Sequence, residues 1–186
     1  MLFYETPWLE AQAQPVIINN ILVDYTSASG NINIPNSVTK ISGYAFFNCS
    51  NLTSVNIPDG VTEIGYSAFY GCSSLTSIII PNNVTKISGY VFSWCESLAN
   101  VTIPNNVTEI GRDAFSYCSS LTSITIPDSV TEIGICAFDG CSSLTSVNIP
   151  NGVTEIGNLA FNRCSSLTSI NIPDKFKDSY DDIFGR

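Results

Sequence analysis

The chain has 186 residues, of which 44% are hydrophobic and 12% are charged, and its formal net charge at pH 7 is −9. No apolar run approaches the roughly 18 residues that span a bilayer, which argues against membrane insertion. The excess of acidic residues repels phosphate backbones, and the few Lys and Arg residues are scattered along the chain, which argues against nucleic-acid binding.

Residues 1–34 are expected to form part of a repeat unit followed by an irregular insert. Residues 2–6 align with a later repeat segment, so the chain opens within a unit, as a fragment of a longer protein would. Thr6 followed by Pro7 is typical of a helix start. Two apolar runs flank Asn19-Asn20, which indicates a β-hairpin. We expect this insert to cover the exposed end of the first complete unit.

Residues 35–172 consist of six copies of a 23-residue repeat, which we call rungs one to six. Proline opens every rung and recurs once after the sixth, at positions 35, 58, 81, 104, 127, 150 and 173. Cysteine recurs with the same spacing, at positions 49, 72, 95, 118, 141 and 164. A fixed period between about 20 and 50 residues is typical of a solenoid, in which each unit packs only on its neighbours.

Rung two, residues 58–80, shows what one copy contains. Its last three residues are predicted to alternate inward, outward and inward, which indicates a short strand in a parallel sheet. Residues 61–65 indicate a second short extended piece, and residues 67–72 suit one helical turn held by packing. We therefore predict an α/β repeat solenoid: a right-handed coil with a parallel concave sheet, short strands and helical turns elsewhere.

The six repeat cysteines are predicted to form a buried ladder of free thiols. Equal positions in adjacent rungs lie about 5 Å apart, and parallel Cβ directions place the two sulfurs side by side rather than facing each other. The alternative is a framework of three disulfides. Cys136 lies off this ladder and is predicted to be the accessible thiol.

Residues 173–186 are predicted to be a degenerate C-terminal half-repeat of one continuous domain. Phe184 follows Pro173 by 11 residues, just as Phe161 follows Pro150. Charged residues interrupt the other apolar positions of this segment, as expected of a solvated terminal cap or of a truncation point.

The pattern Leu-x-x-Ile-x-Ile-Pro, followed by Val-x-x-Ile-Gly-x-x-Ala-Phe-x-x-Cys-x-x-Leu, resembles the leucine-rich repeat of the BspA-like family. The resemblance covers residues 35–172 and rests on eight residue types that recur together. It implies a leucine-rich-repeat solenoid from a surface or secreted protein, mainly bacterial, in a family of which several members act as adhesins for host or bacterial proteins. The family has no shared catalytic residues, so the resemblance assigns none here.

Catalysis is not expected from this chain. It has no histidine, which excludes His-dependent triads and His zinc sites, and it has no P-loop or dinucleotide glycine motif. Cys and Ser recur in every rung, and a nucleophile repeated six times is typical of a scaffold. We expect no catalytic residues, no cofactor and no metal site.

Two surfaces are candidates for binding a partner. Aromatic side chains gather at variable turn positions of the first four rungs: Tyr44, Phe47, Tyr66, Tyr70, Tyr90, Trp94 and Tyr117. They either pack along the edge of the solenoid or form a docking patch. The alternative surface is the outward position of the predicted concave strands, with Asn56, Ile79, Thr102, Thr125 and Asn148. That face lacks the Trp, Tyr and Arg anchors of protein-binding hot spots.

One further column is charged in every rung and in the terminal half-repeat: Lys40, Glu63, Lys86, Glu109, Glu132, Glu155 and Asp178. The first three can pair across rungs, whereas the acidic run that follows is repulsive unless it is screened. The column is either a solvated face or a stripe that binds cations or a cationic partner. A remote alternative is an ice-binding array on the hydroxyl-rich strand face.

The sequence therefore predicts a non-enzymatic recognition or adhesion module of a cell-surface or secreted protein. Its expected partners are proteins, such as extracellular-matrix or bacterial surface proteins. The alternative is a structural spacer that presents another domain. Residues 1–5 lack the features of an export signal, so signal and anchor are expected outside this chain. The identity of the partner, the binding face and the oligomeric state do not follow from the sequence.

Overall fold

A computed structural model describes residues 14–185 as a parallel β-solenoid of about seven turns. A single rung cannot fold alone, because its apolar face has no cover until a neighbour stacks on it. The predicted helix start at Thr6 and Pro7 and the partial unit at residues 2–6 lie outside the described residues.

Short strands form the framework of the solenoid. In chain order they are β1 (Val16–Ile18), β2 (Ile21–Asp24), β3 (Gly30–Asn33), β4 (Lys40–Ile41), β5 (Leu52–Asn56), β6 (Glu63–Ile64), β7 (Ser77–Ile79), β8 (Lys86–Ile87), β9 (Asn100–Thr102), β10 (Glu109–Ile110), β11 (Glu132–Ile133), β12 (Ser146–Asn148), β13 (Glu155–Ile156) and β14 (Ser169–Asn171). Within the rungs the strands fall into two ladders, that is, two series of strands paired from rung to rung. One ladder uses the residues at the end of each rung, and the other uses the Lys-Ile or Glu-Ile dipeptide near its start.

The ladder at the rung ends is parallel, as predicted. β3 pairs with β5, β7 with β9, and β12 with β14, while rung four contributes a single bridge from Ser123 to Ser146. The inward and outward alternation of rung two also agrees, because Ile78 and Ile80 are buried whereas Ile79 is exposed. The predicted sheet is present as three two-stranded pieces rather than as one continuous sheet.

The second ladder contains the extended piece predicted at residues 61–65. β1, β2, β4 and β6 form one four-stranded sheet, and β8, β10, β11 and β13 form another. Every pairing is parallel except that of β1 with β2. Among the described strands no pairing joins β6 to β8, and the Ser88 hydroxyl instead donates to the Ile64 carbonyl at 2.5 Å.

This break lies at the junction of rungs two and three, which we call the seam. Val91 stands there in a column that holds alanine in the other five rungs. The ring centroids of Phe69 and Phe92 are 5.6 Å apart across the seam, at the upper end of the 4.7–5.6 Å range of the whole column. The two rungs remain joined elsewhere, because β7 pairs with β9 and the Phe69 N–H donates to the Val91 carbonyl at 2.9 Å.

The helical turns predicted at residues 67–72, and with them the α/β class, are not confirmed. The N–H groups of Ser67, Phe69 and Gly71 donate to carbonyls of rung three at 3.1, 2.9 and 2.9 Å, while that of Tyr70 donates to Ser67 of its own rung. A helix would direct every N–H back along its own segment. Here every second N–H group bonds to the next rung instead. Ser67 and Gly71 accordingly have φ of 54° and 71°, outside the helical region.

The core is a column of phenylalanine rings with aliphatic side chains and cysteines around it. One ring from each rung is fully buried: Phe46, Phe69, Phe92, Phe115, Phe138 and Phe161. Each stacks on the next with its plane within 22° of its neighbour's. Offset stacking adds about 0.5–1.5 kcal/mol per pair to the burial of apolar area, so the column joins neighbouring rungs along their whole length.

The N-terminal end continues both ladders by one further turn. β1 and β2 are antiparallel around Asn19 and Asn20, which both have positive φ, as a two-residue hairpin turn requires. β2 pairs in parallel with β4 at a spacing of 19 residues, and β3 pairs with β5 at 23 residues over most of its length. Leu22 and Ala28 are buried. This turn is shorter than a rung but follows the same plan.

Helical structure within residues 14–185 lies at the C-terminal end. It consists of a 3-10 helix at Asp174–Ser179 followed by α1 at Tyr180–Phe184. Within residues 14–185 there is no helix with the length and apolar character of a membrane span. The Phe184 ring stacks on Phe161 at 5.6 Å, and the Phe161 N–H donates to the Ile183 carbonyl at 3.0 Å. The half-repeat therefore supplies the ring and the carbonyl of a following rung.

The repeat cysteines are free and buried, as predicted, and Cys136 is partly exposed. Each ladder thiol donates to a backbone carbonyl of the preceding turn, for example Cys72 to Phe46 at 3.1 Å. Burial raises the pKa of Cys118 and Cys141, and it raises the pKa of Cys164 to about 12. Because the thiolate is the nucleophile, these groups are unreactive near neutral pH.

Thiol titration of the native protein at pH 8 is expected to modify at most Cys136, with the six ladder cysteines reacting only after denaturation. The reason is that burial both blocks access and disfavours the thiolate. Mass spectrometry of labelled peptides identifies the modified residues. Three disulfides in the unreduced protein would contradict the free-thiol ladder.

Phe115→Ala is expected to destabilise the protein more than Phe184→Ala. Truncation of a buried Phe costs roughly 3–5 kcal/mol, and Phe115 stacks on rings on both sides whereas Phe184 stacks on one neighbouring rung. Urea denaturation followed by circular dichroism measures the two midpoints. Equal shifts would show that the terminal half-repeat is as integral to the fold as a central rung.

Candidate functional site

The candidate aromatic residues lie on the turn segments, at positions that leave the core. Four of the seven have positive φ: Tyr44 at 63°, Tyr90 at 56°, Trp94 at 62° and Tyr117 at 58°. The left-handed region costs a non-glycine residue roughly 1–2 kcal/mol. The backbone bonds between rungs impose it, and they also fix where each ring leaves the chain.

Three rings form what we call the tyrosine stack. Tyr66 lies between Tyr44 and Tyr90, with ring centroids 5.8 and 5.3 Å away. Tyr66 also covers Gly89, where an added Cβ would meet its ring at 3.4 Å. Tyr66 and Gly89 occupy the same column in successive rungs. Because the glycine has no side chain, the three large rings fit along one edge of the solenoid.

A second line of rings shifts by one sequence position as it crosses the seam. Phe47 stacks on Tyr70 at 5.1 Å in rungs one and two, and Trp94 stacks on Tyr117 at 4.2 Å in rungs three and four. The column of Phe47 and Tyr70 holds serine in rungs three and four, where Ser93 and Ser116 are buried and share a hydrogen bond of 3.1 Å. Phe47 also meets Tyr44 edge-on at 5.6 Å, which connects the two lines.

An ion pair completes the line of Trp94 and Tyr117. The Arg163 guanidinium lies over the Tyr117 ring at 4.8 Å and is bound through two nitrogens by the Asp139 carboxylate. Asp139 also accepts a hydrogen bond from the Asn162 amide at 3.0 Å. The Asp139 side chain is 6% exposed whereas that of Arg163 is 55% exposed. Hydrogen bonding to Asp139 raises the pKa of Arg163, so the guanidinium keeps its charge.

The tyrosine stack also ends at an arginine. Arg112 Nε donates to Asp113 at 3.1 Å, next to Tyr90. Partial burial, and then hydrogen bonding to Asp113, raises the pKa of the Tyr90 phenol. Both arginines of the described residues thus lie beside these rings, each paired with an aspartate.

The structure brings all seven predicted aromatic residues together on this edge in two connected groups. Tyr44, Tyr66 and Trp94 are exposed, and the other four are half-buried. Packing and exposure therefore coexist: each ring rests on another ring but keeps part of its surface in water. We call the seven residues the aromatic edge.

The alternative strand-face residues are all exposed: Asn56, Ile79, Thr102, Thr125 and Asn148. Asn56 and Ile79 line an open groove of about 380 Å³ over β3, β5 and β7. Ile79 is 71% exposed and is the one strongly exposed apolar side chain there. The lining is mixed, because Asn and Ser side chains alternate with the less exposed Ile32, Val55 and Ile57.

The charged column pairs in two places. Lys40 binds Glu63 at 2.9 Å, and Lys86 binds Glu109. Glu109, Glu132 and Glu155 follow one another in strand register. No group of three or more Cys, Asp or Glu side chains between residues 14 and 185 is arranged to hold a metal ion.

Rung three departs from the repeat more than any other rung, a signal that comparing the rungs with one another would have found. Five columns hold one residue type in all rungs but one, and the exceptions are Asn51, Val91, Glu96, Ala99 and Asn100. Four of these five lie in rung three, together with Trp94. The pairing of Arg163 with Tyr117 was also missed, because two rungs separate them in sequence.

Arg163→Met is expected to lower the free energy of unfolding by about 1–2 kcal/mol, because it leaves the buried Asp139 carboxylate with too few hydrogen bonds. Arg112→Met is the matched control and is expected to change stability less, because the Asp113 side chain is more exposed and water can replace the arginine. Urea denaturation measures both. A larger effect of Arg112→Met would contradict this assignment.

The chain matches the family model of the BspA type leucine rich repeat region, with six copies, over residues 17–141 and 108–186. No curated protein matches the chain significantly. Solved structures do match. A leucine-rich repeat protein of T. pallidum is 30% identical over 95% of this chain and 94% of its own, with a TM-score of 0.80.

Two further structures extend the comparison to other bacteria. A leucine-rich repeat protein from Bacteroides ovatus is 35% identical, with a TM-score of 0.78 over 88% of this chain and 43% of its own. A leucine-rich cell surface protein from Faecalibacterium prausnitzii is 27% identical, with a TM-score of 0.53 over 82% and 64%. The repeat, the solenoid and these matches agree, and the chain belongs to the BspA-type leucine-rich repeat family.

Proposed function

We propose that this protein is a non-enzymatic recognition module that binds protein partners through the aromatic edge. The observation that carries the proposal is the placement of seven partly exposed rings on one edge of four rungs, five in one contacting group and two in another, with an Arg–Asp pair at the end of each line. Tyr, Trp and Arg are the residues that most often dominate binding energy at protein interfaces.

The aromatic edge is preorganised for binding. Its rings leave backbone positions that hydrogen bonds to the next rung hold in place, and each ring rests on a neighbour. Ordering such side chains on binding therefore costs little conformational entropy. The outward positions of the strand face offer mainly small hydroxyl and amide groups that water already satisfies, with Ile79 as their one large exposed apolar side chain.

The finer part of the proposal is adhesion at a bacterial surface or outside the cell. The Faecalibacterium structure is that of a cell surface protein, and the family match supports the same setting for this chain. Extracellular-matrix proteins and bacterial surface proteins are the partners that we propose. The alternative role is a spacer, for which the regular rungs would serve only as length.

Tyr66→Ala combined with Trp94→Ala is expected to weaken binding of the partner at least about tenfold, because it removes one exposed anchor from each line of rings. The melting temperature should change little, since neither side chain is part of the buried core. Surface plasmon resonance against a panel of purified extracellular-matrix and bacterial surface proteins gives the partner and the affinities.

Ile79→Thr is the control for the strand face, because rungs three and four carry Thr102 and Thr125 at that position. Loss of binding with Ile79→Thr but not with the double variant would move the site to the strand face. If the panel yields no partner for the intact protein, the spacer role is the one supported.

A further inference from the structure

Rung three carries the largest exposed aromatic side chain of the described residues and, two positions later in the sequence, a carboxylate that no other rung has there. Trp94 and Glu96 are both exposed, and the buried Cys95 separates them. Glu96 is the one acidic residue in a column that holds serine in the five other rungs. The other five rungs adopt the same fold with serine at this position, so serine is sufficient for the fold there. The fold itself therefore does not require Glu96.

We propose that Trp94 and Glu96 form a recognition site for an arginine side chain of the protein partner. This inference rests on the proposed function and specifies the chemistry of the partner. The Trp94 ring provides a face for a planar cation, and Glu96 provides its counter-charge. An arginine can stack on the ring and donate hydrogen bonds to the carboxylate at the same time.

The same chemistry is already present within the protein, across rungs four to six. Arg163 lies over the face of Tyr117 at 4.8 Å, and the Asp139 carboxylate holds its guanidinium. That arrangement consists of an aromatic face, a carboxylate and an arginine. Rung three offers the first two, so the component that completes it is an arginine from outside.

One face of the Trp94 ring is available for this contact. The other face stacks on Tyr117 at 4.2 Å with the two planes 16° apart. Gly71 occupies the same column in rung two, so no side chain of that rung position covers the indole. Trp94 is accordingly 41% exposed although one of its faces is stacked.

The charges also favour a basic partner. Among residues 14–185, no Lys or Arg side chain lies within 4.0 Å of the Glu96 carboxylate. All four basic side chains of the six rungs are paired with acids: Lys40, Lys86, Arg112 and Arg163. The net charge of −9 attracts a cationic segment at long range, and Glu96 supplies a free carboxylate at the contact.

The test uses the whole chain with Trp8→Phe, which leaves Trp94 as its one tryptophan. The probe is the peptide acetyl-(Gly-Arg)4-amide, and its matched control carries citrulline, which has the shape of arginine without the charge. The arginine peptide is expected to change Trp94 fluorescence saturably, and the citrulline peptide is not. Added salt should weaken the response.

Glu96→Gln in the same background is expected to weaken binding of the arginine peptide about two- to fivefold, as loss of an exposed ion pair does. Glu132→Gln makes the same change of charge at an exposed strand position and should leave the affinity unchanged. Equal responses to the arginine and citrulline peptides, or equal losses in the two variants, would overturn the proposal. Because this assay needs no natural partner, such a result leaves docking at the aromatic edge to be judged by the double variant of Tyr66 and Trp94.

Discussion

The fold depends on one constraint: each rung must present its backbone to the next at the spacing of paired strands. Strand ladders satisfy it in two places, and alternate turn N–H groups satisfy it in a third. Because the donors of one rung bond to the carbonyls of the next, rungs must keep the same length and the same columns. The invariant Pro, Phe, Cys and Leu columns follow from this requirement, since each fills the same space on a neighbour of its own kind.

The rungs differ from one another mainly in the variable turn columns. Turn positions that leave the core are free of the packing constraint, and in rungs one to four they carry large rings in place of small polar groups. Side-chain size is still compensated locally. Rungs one and two carry large rings at Phe47 and Tyr70, whereas rungs three and four have Ser93 and Ser116 in that column and place their large rings, Trp94 and Tyr117, in the next column. The aromatic edge therefore combines the rigidity of the solenoid with side chains that the solenoid does not need.

The period of the sequence was sufficient to predict the parallel strands, the buried column of cysteines and the position of Phe184. It did not separate a helical turn from the turns observed, because residues 67–72 place Ala, Phe and Cys inward in both. The N-terminal turn was hidden because its spacing to β4 shortens to 19 residues. The aromatic candidates were identified from their positions in the repeat, but their stacking order and the role of Arg163 depend on contacts across rungs.

The seam lacks one of the two strand ladders, which bears on how the array carries a mechanical load. Because β6 and β8 are not paired, the β7–β9 ladder and the turn hydrogen bonds carry shear at the seam, whereas both strand ladders join rungs five and six. Tyr66 lies on one side of this junction, and Tyr90 and Trp94 lie on the other. A ligand that contacts both sides would link rungs two and three, so that a larger force would be needed to separate them when the ligand is bound than when the protein is free.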